Sequence, residues 1–471
     1  MTEPRPKKSN IETFVLILKN ENGLPKFITQ YFGILFIQIY LSVTLLNSFL
    51  ETEKILNSFL NKLTKNEFDE FSYLSTSEEA EEPSLASDYE VLTGTRSWVK
   101  ISELKRTDTL AVLKEDKFIK YETPLRIYKK KYKGKMYCMK SKFVDVFVTP
   151  SHNLYIAQGH YFPRKGFGFS RADSVYHKYY IWFKKTAIWQ KDDYQIVLPA
   201  AAIWRGPLQV GMTDCWELPM GAFLRFFGFW IAEGWITPYD TKRADNGVIT
   251  ISQTKPEGRE YIEFLFDALD IKDDVVDYHR TGKYKDSDNG TYVENKYRIY
   301  NKQLFLFLLK ERKRAGYKRL PDWVWELSRD QSRALLEGLM AGDGDKRGTY
   351  YTASFGLADD VCRLLLHCEY AFTLKRVDYK PGWRSPFIKT ITRVNFPQYR
   401  VKCLYNTPTP KANSEYRQSQ RTFDDSYIDY DDYVYDIKTP SRVFYARRNG
   451  VGSWIGGVIR FKKEEEDKNL S

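Results

Sequence analysis

Two short stretches constrain what this chain can fold into more than anything else in it. Residues 335–345 read LLEGLMAGDGD, and about 110 residues earlier 225–234 read RFFGFWIAEG. Each is an apolar run that holds small residues and ends in an acid followed by glycine. Small residues on a helix face let two helices approach backbone to backbone, so the pattern predicts a tight helix pair. Glu233 and Asp343 then fall side by side at the two C-termini. The negative end of a helix dipole suits a carboxylate poorly unless a cation compensates it. Two carboxylates, with the backbone carbonyls of Gly234 and Gly344 beside them, make a hard oxygen site suited to Mg²⁺. Either stretch alone is explained as well by a buried helix with a solvated cap; the matched endings favour the pair.

Both stretches resemble the paired signature of the LAGLIDADG (dodecapeptide, DOD-type) homing endonucleases. Residues 226–234 (FFGFWIAEG) match the first copy, with Glu in place of Asp, and 336–344 (LEGLMAGDG) match the second more closely. GYKRLPDWVWELS before the second copy and ASFGLADDVCRLLLH after it also fit the endonuclease domains carried inside inteins. The resemblance implies site-specific hydrolysis of double-stranded DNA with Mg²⁺, Glu233 and Asp343 each serving one strand. It implies no small-molecule cofactor and a monomer. A basic residue near each metal would tune the water: Lys318 is the candidate for one, and Gln253 stands where a second lysine would.

Composition agrees with a nucleic-acid partner. The chain of 471 residues has a formal charge of +12 and is 16% aromatic. Lysine and arginine neutralise phosphates, and the length allows two or three domains. The five cysteines, Cys138, Cys215, Cys362, Cys368 and Cys403, show no CxxC and no Cys/His pairing. Reduced thiols are expected, with neither a disulfide framework nor a zinc finger.

Residues 1–64 read as a helical N-terminal extension. Within it 27–50 are uncharged and long enough to cross a bilayer, yet Gln30, Gln38 and Asn47 interrupt them. A soluble helical hairpin, or a leftover of a host protein, is favoured over a membrane span. No small-residue cleavage site follows, so a signal peptide is not expected. Residues 65–88 are acidic and serine-rich and read as a linker.

From residue 89 short β runs follow one another at close spacing, through 156, and the texture returns at 433–457. That density predicts a compact all-β unit, divided into 89–205 and 424–460, with a charged tail at 461–471. It resembles the Hint (hedgehog/intein) fold split by an insert. Thr149-Pro150-Ser151-His152 is similar to the intein TxxH motif, Val434-Tyr435-Asp436-Ile437 to the block near intein C-termini, and VLTGT to the N-terminal block. Splicing needs a Cys or Ser at the first intein position. Aligned on LTGT that position is Val91, which has no nucleophile; Ser87 is a displaced alternative. The terminal His-Asn pair would fall at Trp454-Ile455, or at Gly456-Gly457. Val91, Thr149, His152, Asp436 and Gly457 are therefore read as vestiges of a splicing site. Basic, aromatic 159–193 suits either DNA contact or simple packing.

The expected fold class is α+β, the insert at 206–423 being an internal repeat. Helices are expected at 222–235, 256–269, 332–341 and 357–367, with strands at 247–253, 292–300, 348–354, 374–380, 387–396 and 399–405. The resemblance implies two αββαββα halves in pseudo-two-fold relation, their sheets in the major groove. Period-2 alternation puts Lys389, Arg393 and Asn395 on one strand face, and Arg400 and Lys402 on another. These are the candidate DNA contacts, a solvated face being the alternative. Two rival functions are a catalytically silent DNA binder of the same fold and a functioning intein. The location would be wherever the target DNA is: nucleus, cytoplasm or a viral factory.

Overall fold

In a computed structural model, the structure describes residues 83–161, 166–206, 209–240, 246–283, 291–379, 397–413, 416–417, 420–421 and 423–457. The chain divides into two compact units, Met1–Glu79 and Ala80–Ser471, and every described residue belongs to the second. The expectations for 1–64, for most of the linker and for the tail lie outside the described residues, as do Lys389, Arg393 and Asn395. Among the described residues no helix is long and apolar enough to cross a membrane.

The β shell is built on one long ribbon. Strands Arg126–Lys140 and Asp425–Lys438 pair from Arg126↔Lys438 to Met139↔Asp425. Lys129, Lys130, Lys131 and Lys133 break the apolar alternation there, which is why the sequence points to two shorter strands at 125–128 and 135–140. The lysines are accommodated by the facing strand: Lys129 lies 4.2 Å and Lys131 5.7 Å from the Tyr433 ring centre, a favourable cation–π placement. With Asp145–Val148 and Leu85–Ala86 the ribbon closes a small barrel. Leu85–Ala86 falls inside the stretch read as linker, and both residues are fully buried between Val148, Val434 and Tyr435. Burial of Leu85 in the barrel core is what orders the last part of that stretch.

Among the described residues five α-helices lie within 206–423: α1 (Met220–Glu233), α2 (Pro256–Ala268), α3 (Lys302–Lys310), α4 (Arg329–Asp343) and α5 (Phe355–His367). The first half runs α1, Gly234–Pro238, Gly247–Ser252, α2, Val275–Lys283, Thr291–Ile299, α3. Strand Val275–Lys283 and α3 are additions to the expected elements, although Asn301 accepts a hydrogen bond from Leu304 N–H at 2.9 Å and caps α3. The α4 start lies earlier than residue 332 because Ser328 and Gln331 form a capping box.

The second half does not close its sheet on itself. Thr349–Thr352, Gln398–Leu404 and Ala371–Val377 continue through Val451–Gly456, Val443–Arg448, Glu90–Thr93 and Leu110–Lys114 to Phe118–Glu122. Strands from 206–423 and strands of the β shell thus share one sheet. The seam is narrow: Thr373 pairs with Val451, and Leu374 N–H donates to Gly450 O at 2.8 Å. Gly450 has φ +77°, and a Cβ there would lie 2.0 Å from Leu374 O, so glycine is required. Buried Arg447 braces the seam with ion pairs of 2.7 Å to both Glu90 and Asp359, its guanidinium 4.2 Å from the Trp98 ring centre.

Candidate active site

The helix pair expected from the sequence forms, and its closeness is set by glycines. A Cβ on Gly338 would lie 2.0 Å from Arg225 O, and one on Gly228 would lie 2.5 Å from Leu335 O. Near the C-termini a Cβ on Gly342 would meet Ala232 Cβ at 2.3 Å and Glu233 Cγ at 3.5 Å. The last contact fixes the geometry: the Glu233 side chain packs beside the residue that precedes Asp343. An ion pair from Arg225 to Glu337, 2.8 Å, ties the two helices nearer their middles.

Burial raises the proton affinity of both Glu233 and Asp343, and the Asp343 charge pushes Glu233 further. Lys318 supplies the compensation that the helix dipoles demand. Its ammonium donates to Ile231 O and, at 3.3 Å, to Ala232 O, the last carbonyls of α1. Burial lowers its own proton affinity, against the pull of Asp343 and Glu233. Beneath the acids Tyr350 is 1% exposed, and its hydroxyl has no hydrogen-bond partner among the described residues. The charges of Asp343 and Glu233 reach it.

This donor set fits a hydrated divalent cation. Among the described residues no group of three or more His, Cys, Asp or Glu could hold a metal, so the protein offers two carboxylates here. Mg²⁺ is commonly held that way, keeping several waters and taking substrate phosphate oxygens as further ligands. Ordered water would also satisfy the Tyr350 hydroxyl. Gly234 and Gly344 turn the chain out of the helices beside the acids, Gly234 pairing with Ile251 and Gly344 bridging to Tyr350.

Gln253 differs from expectation. It is buried, and its side-chain oxygen accepts Lys255 N–H at 2.9 Å, clamping the turn before α2. The charge that reaches both acids from this turn is that of Lys255. Sequence reasoning misses Lys255, because an exposed lysine before a proline carries no motif. Arg400 and Lys402 share a strand, but their heads are engaged locally. Arg400 donates to Gln398 at 2.9 Å and to the Tyr379 hydroxyl at 3.0 Å, and Lys402 donates to Arg347 O.

A second buried site lies in the barrel. Ser84 N–H donates to Thr149 Oγ1 at 2.8 Å, and Thr149 N–H donates to Ser84 O at 2.9 Å. His152 is fully buried, neither ring nitrogen has a partner among the described residues, and burial holds its pKa down to about 3. Val91 is not here: it sits in strand Glu90–Thr93, paired with Ala446 and Val99. Ser87 is not here either, its hydroxyl donating to Asp432 at 3.0 Å. Alignment on LTGT misses Ser84 by seven residues; the signal is the Leu85-Ala86 pair, apolar and small enough to close a barrel. Asp436 is buried, its Oδ1 accepting Ile437 N–H at 2.6 Å. Trp454 and Ile455 pair with Tyr445 and Phe444, and Gly457 N–H donates to Arg442 O at 2.8 Å.

No family model matches the chain. It is 34% identical over 341 residues to an ATP-dependent Clp protease proteolytic subunit of Chlamydomonas moewusii, covering 70% of this chain and 32% of that protein. It is 28% identical over 426 residues to a DNA-directed RNA polymerase subunit beta C-terminal section of Stigeoclonium helveticum, covering 79% and 36%. The chain spans about a third of the length of these curated relatives. Among solved structures it has a partial likeness to a splice-inactive AceL NrdHF class 3 split intein (17% identity, 28% of this chain and 74% of that chain, TM-score 0.17). Others are the homing endonuclease I-WcaI bound to its DNA recognition sequence (12%, 39% and 76%, TM-score 0.27), and a mutant of an Ssp DnaB mini-intein variant (15%, 29% and 85%, TM-score 0.18).

Proposed function

We propose that this chain is a site-specific endonuclease that hydrolyses both strands of duplex DNA with Mg²⁺, carried in an intein-type β shell. The observation that supports this most is the glycine-tight packing of α1 on α4, which sets Glu233 beside Asp343 with Lys318 on the adjoining carbonyls. Glu233 and Asp343 would hold the cation, and the carbonyls of Gly234 and Gly344 would border it. Mg²⁺ at such a site neutralises charge on a phosphate and lowers the pKa of a bound water. Without a cation the two carboxylates are half-buried like charges, so the site is built to be completed by one. Lys318 sits on the last turn of α1, and its charge also acts on Glu233 and Asp343. The curated relatives carry descriptions of unrelated activities, a protease subunit and a polymerase subunit. A stretch shared by proteins so different is what a mobile inserted element would be.

The test is cleavage selection on a randomised DNA library with Mg²⁺, and with Ca²⁺ as the control ion. Cleavage in Mg²⁺ that Glu233→Gln and Asp343→Asn each abolish, with DNA binding retained, supports the reading. Either variant cutting both strands at the wild-type rate would overturn it. DNA binding without cleavage by the wild type would favour a silent binder.

Ser84 favours a second reading for the shell. A serine seated on Thr149, with a neutral histidine buried nearby, has the residue types for an acyl shift at the Pro83–Ser84 bond. Trp454-Ile455 offers no asparagine for the downstream step. The reading is therefore upstream cleavage without splicing: the Ser84 hydroxyl takes the Pro83 acyl group as an ester, which frees the Ser84 amine, and water hydrolyses that ester to release the segment ending at Pro83. Intact-mass measurement tests it: a new N-terminus at Ser84, absent in Ser84→Ala, supports it, and an uncut wild-type chain removes it.

A further inference from the structure

The strands beneath the two acids match in register and differ in chemistry. Gly234, which follows Glu233, pairs with Ile251, and Gly344, which follows Asp343, bridges to Tyr350. Four residues beyond each lies the N-cap of the next helix, Lys255 before α2 and Ser354 before α5. Ile251 and Tyr350 are therefore equivalent positions in the two halves. Both are buried, 0% and 1% exposed, and both belong to the apolar core that holds α1 and α4. The first half fills the position with an aliphatic side chain, the second with a phenol.

The backbone of Tyr350 is held from both sides. Tyr350 pairs with Val401, and Asp345 N–H donates to Thr349 O at 2.9 Å. The Tyr350 hydroxyl is buried and has no partner among the described residues. Neighbouring polar groups are engaged elsewhere: the Tyr351 hydroxyl donates to Asp345 at 2.8 Å, that of Ser354 to Lys318 O at 2.7 Å, and the Lys318 ammonium to the α1 carbonyls. A phenol in an apolar core without a hydrogen bond costs stability that phenylalanine in its place would not. Burial, with the charges of Asp343 and then Glu233 adding to it, keeps this phenol protonated. It is a neutral group able to accept and to donate, set at the Asp343 end of the site, with no counterpart at Ile251.

We propose that Tyr350 is a positioning residue for the cation site: its hydroxyl hydrogen-bonds a water of the hydrated cation on the Asp343 side and orients it. The inference rests on the endonuclease reading above. Water held by a divalent cation is a strong donor, and a phenol oxygen accepts its hydrogen bond without a change of charge. Outer-shell partners of this kind fix the inner ligands and tune the affinity of a metal site. Ile251 offers no such group, so the two ends of the site differ in how firmly they hold water.

The experiment uses the full chain and a target duplex recovered by the selection, with Tyr350→Phe as the variant and Ile251→Val as the control at the equivalent position. The Mg²⁺ concentration that gives half-maximal cleavage should rise about tenfold in Tyr350→Phe, as loss of an outer-shell partner does elsewhere, and stay within about twofold in Ile251→Val. Thermal melting in EDTA gives a readout independent of cleavage. There Tyr350→Phe should unfold at or above the wild-type temperature, because it loses no hydrogen bond within the protein. A lower melting temperature in EDTA shows that the hydroxyl serves the fold and overturns the inference. An Mg²⁺ requirement within about twofold of wild type, or an equal rise in Ile251→Val, overturns it as well. Each of these results leaves the endonuclease reading standing. If the selection recovers no cleaved duplex, that reading fails instead, and the role of Tyr350 falls with it.

Discussion

Replacement of Gly342 by alanine tests whether backbone proximity of the two helices sets the site. The new methyl would stand 2.3 Å from Ala232 Cβ, where an ordinary contact begins at 3.4 Å. The helices must separate by about 1.1 Å at that level, one residue from Asp343. Overpacking of this kind costs about 1–3 kcal/mol, or a melting temperature lowered by ~2–6 °C at ~2 °C per kcal/mol. A displacement of ~1 Å between reacting groups costs on the order of 100-fold in rate. The remedy is specific. Ala232→Gly in the same chain removes the opposing methyl, and the remaining neighbours, Glu233 Cγ at 3.5 Å and Ala232 Cα at 3.7 Å, are ordinary contacts. The Ala-to-Gly loss of helix propensity, about 1 kcal/mol, is offset by the Gly-to-Ala gain on the facing helix. The double variant should therefore melt within ~2 °C of wild type and cut within about tenfold of it. Thermal unfolding and cleavage of a selected target are the assays. If Gly342→Ala behaves as wild type, or the double variant is no better than the single, contact between these two methyl positions does not hold the acids together.

In EDTA, Asp343→Asn and Glu233→Gln should raise the melting temperature at pH 7. Burial lifts both folded-state pKa values above the unfolded ones, so their stabilising contribution is present below the unfolded pKa and lost as pH rises through the folded value. The gain over wild type should shrink toward pH 4, and thermal scans across pH check it. Arg447→Met should cost ~3–5 kcal/mol by stranding Asp359, whose pKa burial already pushes up to about 6. Asp359→Leu in the same chain should recover most of it, read by denaturant unfolding. Lys318→Met should cost ~1–2 kcal/mol through the lost partner of the α1 carbonyls. Its stability penalty should be smaller in a Glu233→Gln background, where one of the two carboxylate charges it offsets is gone.

The helix pair is legible in the sequence because small residues, apolar runs and terminal acids recur together, and close packing admits few other sequences there. Lys318 can be found by its place before α4. Gln253 misleads, because residue type cannot say whether an amide faces substrate or folds back on its own turn. Lys255 and Tyr350 belong to the site through the strand pairing of Gly234 with Ile251 and of Gly344 with Tyr350, and register is a long-range property. Ser84 is hidden for a related reason. Its partner Thr149, and the Tyr435 that pairs with adjacent Leu85, are far along the chain, and an acidic, serine-rich approach disguises the buried Leu85-Ala86 step. Strand Val275–Lys283 escapes notice because its residues are mostly polar and its support is the facing strand Thr291–Ile299.

The seam at Thr373 and Val451 ties residues 206–423 to the β shell. Deleting residues 206–423 would uncover the single pair and the Leu374–Gly450 hydrogen bond through which the sheet passes to Val451–Gly456. Under the proposed endonuclease reading, a point change at Glu233 or Asp343 would silence the chemistry and leave that seam covered. On that reading, a chain silenced by a point change would keep the fold of 206–423 intact beside the shell.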